Sequence, residues 1–294
     1  MFLGSIFASG LSGIVTVQCI VFFKLYPQDS RILKSLVIAV WILDLAHSSF
    51  VISAMWDYLI AGFGKISKTD FIPETIALSV IFTAILTFLA QWFFAHRIYR
   101  LSNRNVFLTG PILILALGRL VAASVSGGEM ITLKSFTLFK RHFKWLFSVG
   151  LALSSTVDIL VTFSLFFLLQ RSRKQSLSLN EIIDALVLYT FEIGSLTSAA
   201  TVISMICWLT LENNLVFLGL HFVIGKLYAN SLLATLNARQ EIGRSRAKAR
   251  DLLDLEMRNP RDRLQFINHG SDPDRQFFPT VEVNVEKTVQ FDQD

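Results

Sequence analysis

The feature that most constrains this 294-residue chain is a series of apolar runs, each roughly 20 residues long and almost free of charge. A hydrocarbon core about 30 Å thick takes about 20 helical residues to cross, so runs of this length are the size of membrane spans. Seven are predicted, over residues 1–23, 35–55, 75–95, 107–126, 145–169, 184–209 and 214–236. Most are apolar on every side, as lipid-facing helices are, whereas a helix on a soluble protein shows one apolar stripe. Segments of about ten residues with alternating polarity, which mark membrane barrels, do not occur. A helical bundle then satisfies its own backbone in lipid. The expected fold is all-α: a seven-transmembrane helical bundle over residues 1–237, then a short, largely disordered cytoplasmic carboxyl-terminal tail over 238–294. Pro111, the only proline inside a run, is placed by these limits in a first turn, where proline is tolerated.

Composition agrees. The chain is 53% hydrophobic and only 17% charged, against about 25% charged in soluble domains. Its two cysteines exclude a disulfide scaffold. The opening run lacks a basic start and carries Thr16 and Gln18 inside it, so it reads as a span and not as a secretory signal.

Basic residues in the connections set the orientation. Lys24, Arg31, Lys34, Arg97, Arg100, Arg104, Arg171, Arg173, Lys174, Arg239, Arg244, Arg246, Lys248 and Arg250 fall on one side; Lys65, Lys68, Lys134, Lys140, Arg141 and Lys144 fall on the other. Fourteen against six puts the amino terminus outside and the carboxyl terminus in the cytoplasm by the positive-inside rule, with the plasma membrane favoured. The cluster Lys140, Arg141 and Lys144 opposes that orientation. After Ala238 the chain becomes polar, with ten Lys or Arg and eleven Asp or Glu. Its first part, with Arg239, Arg244, Arg246, Lys248 and Arg250, is a candidate short helix lying on anionic headgroups of the bilayer, though a plain solvated face explains it as well. Beyond Asn259 disorder is expected. A cytoplasmic partner of the tail is not specified by any motif.

The stretch from Gly10 to Asp44, GLSGIVTVQCIVFFKLYPQDSRILKSLVIAVWILD, the close of the third run, QWFFAHRIYRLS, and the close of the seventh, KLYANSLLATLNAR, form a distinctive set. Together they resemble the multi-pass membrane proteins of basidiomycete fungi that carry domain of unknown function 6534. The domain corresponds here to about residues 158–239, and the wider likeness covers the first 240. The resemblance implies seven spans, a fungal source and a membrane location; it implies no activity and no site residues.

An ionisable side chain near the bilayer centre costs about 2.5 to 3.5 kcal/mol on insertion scales, so each one present faces the bundle, a wet cavity or a partner. Asp44, His47, Arg119, Asp158, Glu192 and Lys226 qualify. Helical rise puts Asp44 and Glu192 roughly 12 to 13 Å from the inner ends of their runs, in a layer with Asp158 and Lys226; Arg119 and His47 lie further out. Lys226 is expected to pair with Asp44, Asp158 or Glu192, leaving at least one acid to be protonated, hydrated or bonded to Ser154, Ser155, Thr156, Thr190 or Thr197. Two plainer roles compete: interhelical hydrogen-bond glue for the whole layer, and snorkelling for Lys226. Gly10, Gly13, Gly194 and Ser198 read as packing contacts.

Asp44 and His47, three apart, could orient an imidazole or share a metal. A catalytic zinc needs three protein ligands, and His221 is the only other histidine at membrane depth, so a plain Asp44 to His47 hydrogen bond is the favoured account, with no metal or other cofactor. Phe222, one turn before Lys226, is not the counter-ion a retinal Schiff base needs. The pI near 9.3 reflects bases flanking the spans, so no nucleic-acid partner is inferred. An uncharacterised membrane protein of no enzymatic activity, used in receptor-like sensing or signalling, ranks first. A secondary carrier or proton-coupled channel built on the polar layer ranks second, and an intramembrane metal hydrolase third.

Overall fold

The computed structural model describes residues 1–64, 70–173, 180–211 and 214–258, with the side chains of 172–193 and 240–258 left aside. Among the described residues seven α-helices follow in order: α1 (Phe2–Leu25), α2 (Arg31–Trp56), α3 (Glu74–Leu101), α4 (Val106–Leu133), α5 (Phe136–Arg173), α6 (Asn180–Thr210) and α7 (Val216–Arg258), with a π turn, Asp57–Ala61, closing α2. Among the described residues six helices are long and apolar enough to cross a membrane, and α6 adds the apolar stretch Gly194–Thr210. No strand is present there beyond one isolated bridge, Phe71 to Ser135. The chain divides into two compact units, Met1–Ala247 and Lys248–Asp294, and every site side chain described below belongs to the first.

Polarity is inverted relative to a soluble fold. Phe7, Ile14, Ile114, Val121 and Phe167 are exposed, while Asp44, His47, Ser79, Thr83, Thr87, Lys226 and Thr201 are wholly enclosed. Water would favour the opposite arrangement, so the surface is built for lipid and the chain is a membrane protein. Helix α7 is the hub: 72% of its apolar window is buried, against 28% for α1 and for α4. Gly4 and Gly219 set how closely α1 and α7 cross, since a Cβ on Gly4 would fall 2.3 Å from the Gly219 carbonyl oxygen.

Local sequence accounts for the helix limits. Ser30 and Asn105 accept from Leu33 and Phe107 and cap α2 and α4. Lys134, in the left-handed region at φ 52°, ends α4. Helix α5 begins at Phe136, well ahead of residue 145. The basic stretch before 145 is helical because Phe136 and Phe139 lie on its buried face, while Lys140 lies 5.2 Å and 5.4 Å over the rings of Trp208 and Phe217. Helix α7 runs without a break through residues 239–250 to Arg258; residues 259–294 lie outside the described residues. Pro111 sits inside α4, past its first turn, because that helix starts at Val106.

One end of the bundle is closed by its connections. Asp70 accepts from the Ser135 hydroxyl at 2.5 Å, the Thr137 hydroxyl at 2.7 Å and the Thr137 amide at 2.8 Å, capping α5 from a distant part of the chain. Burial pushes the Asp70 carboxyl up, but these three bonds outweigh it and hold its pKa below the ordinary carboxylate value. Beneath this cap Phe147, Trp208 and Phe217 pack with ring centroids 4.6 to 6.0 Å apart. At the other end Arg239 reaches Asp29 at 2.5 Å and lies over the Tyr26 ring at 4.5 Å. Burial raises the Asp29 carboxyl; the Arg239 and Ser30 hydrogen bonds and the charges of Arg239 and Lys34 lower it further than that.

Candidate functional site: a buried polar band around the last helix

Helices α2 and α7 are antiparallel neighbours, and their register decides which buried groups meet. Lys226 lies 2.9 Å from Asp44 Oδ1, a charge contact, and donates to the Asp44 carbonyl at 2.7 Å and to Ser48 Oγ at 2.6 Å. The other Asp44 oxygen accepts from Ser12 of α1, to which Ser48 also donates at 3.1 Å. Both charged side chains are fully enclosed. Lys226 therefore does not snorkel; its ammonium is held by Asp44 and Ser48 of α2, which Ser12 of α1 braces in turn. An enclosed pair of this kind gains little net stability but is expensive to break, because removing one member strands the other.

Asp158 belongs to a second cluster. Tyr228 donates to its Oδ2, Gln91 to its Oδ1 at 3.3 Å, and Thr197 bonds the carboxylate as well. Ser154 shares a hydrogen bond with the Tyr228 hydroxyl at 3.0 Å, and Ser155 another with Thr201 at 2.9 Å. Arg119 donates to the Ala84 carbonyl at 3.3 Å and stands 6.0 Å over the Tyr228 ring. No basic side chain among the described residues forms an ion pair with Asp158. A cavity of about 30 Å³ lies against Asp158, Gln91, Thr162, Thr197, Tyr228 and Ser231. Since one water fills roughly 10 to 15 Å³ on that measure, the space fits about two waters or one small ion.

The single layer expected from sequence is thus two clusters joined through α7: Asp44 with Lys226, and Asp158 with Tyr228 and Arg119 nearby. Glu192 and Thr190 fall outside the described side chains, as do Arg244, Arg246, Lys248 and Arg250. Thr156 bonds its own helix, donating to the Ala152 carbonyl at 2.8 Å. The expected Asp44 to His47 hydrogen bond is absent: the carboxylate turns to Ser12 and Lys226, and neither His47 nitrogen has a partner among the described residues. No group of three or more His, Cys, Asp or Glu among the described residues is placed to hold a metal. Gly10 and Gly13 are not packing contacts, having nothing within 4 Å of a built Cβ, whereas Gly194 presses on Thr162.

Sequence alone does not mark Gln91, Tyr228, Ser12 and Ser48 as site residues. One signal was available for Gln91: Ser79, Thr83, Thr87 and Gln91 recur every fourth residue along α3, a polar stripe on one helical face. Ser79 and Thr87 are satisfied by their own helix, at 2.7 and 2.8 Å, so the stripe carries fewer free groups than its length implies.

The architecture defines a helical membrane protein with a polar interior. Residues 154–241 match the model of a family of unknown function, DUF6534. The matched segment supplies Asp158, Thr197, Lys226 and Tyr228, while Asp44, Gln91 and Arg119 come from the helices before it. No curated protein and no solved structure matches the chain.

Proposed function

We propose that this is a seven-span integral membrane protein, amino terminus outside and carboxyl terminus cytoplasmic, that handles protons or a small cation through Asp158. The observation that carries this is a buried carboxylate, bound by Tyr228 and Gln91 and free of an ion pair among the described residues, lining a cavity with room for about two waters. That volume suits a proton or small ion better than an organic ligand, so it favours a proton-coupled channel or carrier over receptor-like sensing. Intramembrane ionisable groups that line water serve such pathways. A fungal source, the plasma membrane and headgroup contact by the basic residues 239–250 belong to the same proposal.

The test is reconstitution of the full chain in liposomes containing a pH-reporting dye, with a potassium diffusion potential as driving force. Proton entry above that of empty liposomes, cut at least about tenfold by Asp158→Asn, is expected, since that change keeps the shape and removes the ionisable oxygen. Flux equal to that of empty liposomes, or unchanged in Asp158→Asn, refutes the proposal.

A further inference from the structure

Two buried imidazoles belong to neither cluster. Among the described residues, both ring nitrogens of His47 and both of His221 are enclosed without a hydrogen-bond partner, and so is the Thr83 hydroxyl. Native interiors seldom leave polar atoms unpaired, and these five belong to residues on adjoining turns where α2, α3 and α7 meet. His221 and Gly225 are one turn apart on the same face of α7. Thr83 of α3 lies so close to that face that a Cβ on Gly225 would come 3.2 Å from its hydroxyl oxygen. Phe222 meets the His47 ring edge-on with centroids 6.5 Å apart, one turn from where Lys226 meets Asp44. His47 and His221 are near enough for their charges to interact.

The chemistry of the surroundings selects the occupant. Lys226 is a charge neighbour of His47, and Arg119 of His221, while among the described residues no carboxylate bonds either ring. A metal cation would stand near the Arg119 guanidinium with no carboxylate among the described residues to ligate it. A neutral imidazole offers one donor and one acceptor, and a hydroxyl one donor and two lone pairs. A small anion would use the donors and leave every imidazole lone pair orphaned. Water, which donates twice and accepts twice, matches both halves, and buried water typically makes about three such bonds. We propose that His47, Thr83 and His221 hold internal water, a hydrated node one turn along α7 from the Asp44–Lys226 pair. Water-linked imidazoles pass protons, so the node would lengthen a proton path, but the water site stands without any flux through Asp158.

Pulsed hydroxyl-radical labelling of the full chain in nanodiscs reads bound water directly, because radicals made from that water react with its neighbours. His47, His221 and Phe222 should label at least about tenfold faster than Phe139, which is equally enclosed but packed among rings. Joint replacement by His47→Phe and His221→Phe should bring Phe222 down to the Phe139 rate. Silence of all three residues in the parent overturns the proposal. So does labelling that zinc or bromide suppresses at low concentration, which would assign the node to a metal or an anion. Because transport is not measured, this outcome is independent of the liposome result.

Discussion

The Asp44–Lys226 pair can be tested by removing the lysine. Lys226→Met keeps most of the side-chain volume and deletes the ammonium, leaving Asp44 with the Ser12 hydroxyl alone in a fully enclosed site. Breaking a buried pair from one side costs about 3 to 5 kcal/mol, since the remaining charge has neither water nor a partner. Interhelical hydrogen bonds in membranes average only about 0.6 kcal/mol, so a structural role as ordinary glue predicts a far smaller change. The unfolding constant in Lys226→Met should therefore rise by roughly a hundredfold or more at about 1.4 kcal/mol per decade. Asp44→Asn in the same background keeps an acceptor for Ser12 and removes the stranded charge. The double variant should recover most of the loss, with a coupling energy of at least about 2 kcal/mol in the cycle. Reversible unfolding in mixed micelles, followed by helical circular dichroism as denaturing detergent is added, supplies the four free energies. A loss below about 1 kcal/mol in Lys226→Met, or additive single changes, would show that Asp44 and Lys226 are not coupled as an enclosed pair.

Two further tests use the same assay. Gly4→Ala should destabilise by about 1 to 3 kcal/mol, because the new methyl meets backbone of α7 that cannot step aside, whereas Gly13→Ala, with nothing near its Cβ, should be neutral or slightly stabilising; equal effects would refute the α1–α7 crossing. Asp70→Ala should cost about 1 to 2 kcal/mol as a lost cap on α5. Since the folded-state pKa of Asp70 lies below its unfolded value near 3.9, its contribution is full above that value and disappears as pH falls through the folded one. Thermal midpoints of the parent should accordingly fall below about pH 4 more steeply than those of Asp70→Asn, and parallel pH profiles would remove Asp70 from the account.

The helices were legible because lipid makes a blunt demand. A backbone that finds no water must bond within its own segment, and that shows as length and apolarity whatever the neighbours are. Helix limits were less so, since the basic run before residue 145 looks like a loop until Phe136 and Phe139 are seen to share its buried face with Lys140 resting on Trp208. The charged members of the polar band were legible for the same energetic reason as the spans, namely that each is too costly to face lipid.

Partners were not, because partner choice depends on how each helix is turned about its own axis and on the register between helices far apart in sequence. Tyr228 shows the difficulty: within an apolar run an aromatic reads as lipid-facing, and only the parallel course of α5 and α7 brings its hydroxyl to Asp158. Gly4 and Gly13 are equally small, yet one touches Gly219 and the other nothing. The antiparallel register of α2 and α7 is the decisive unknown. It sets Asp44 against Lys226 and, one turn on, His47 against Phe222, so the acid three residues from a histidine serves a lysine on another helix and the imidazole is left to find its bonds elsewhere. A spacing that favours contact along one helix is overruled when a neighbouring helix offers the stronger charge, and His47 is without a carboxylate because Asp44 is bound by Lys226.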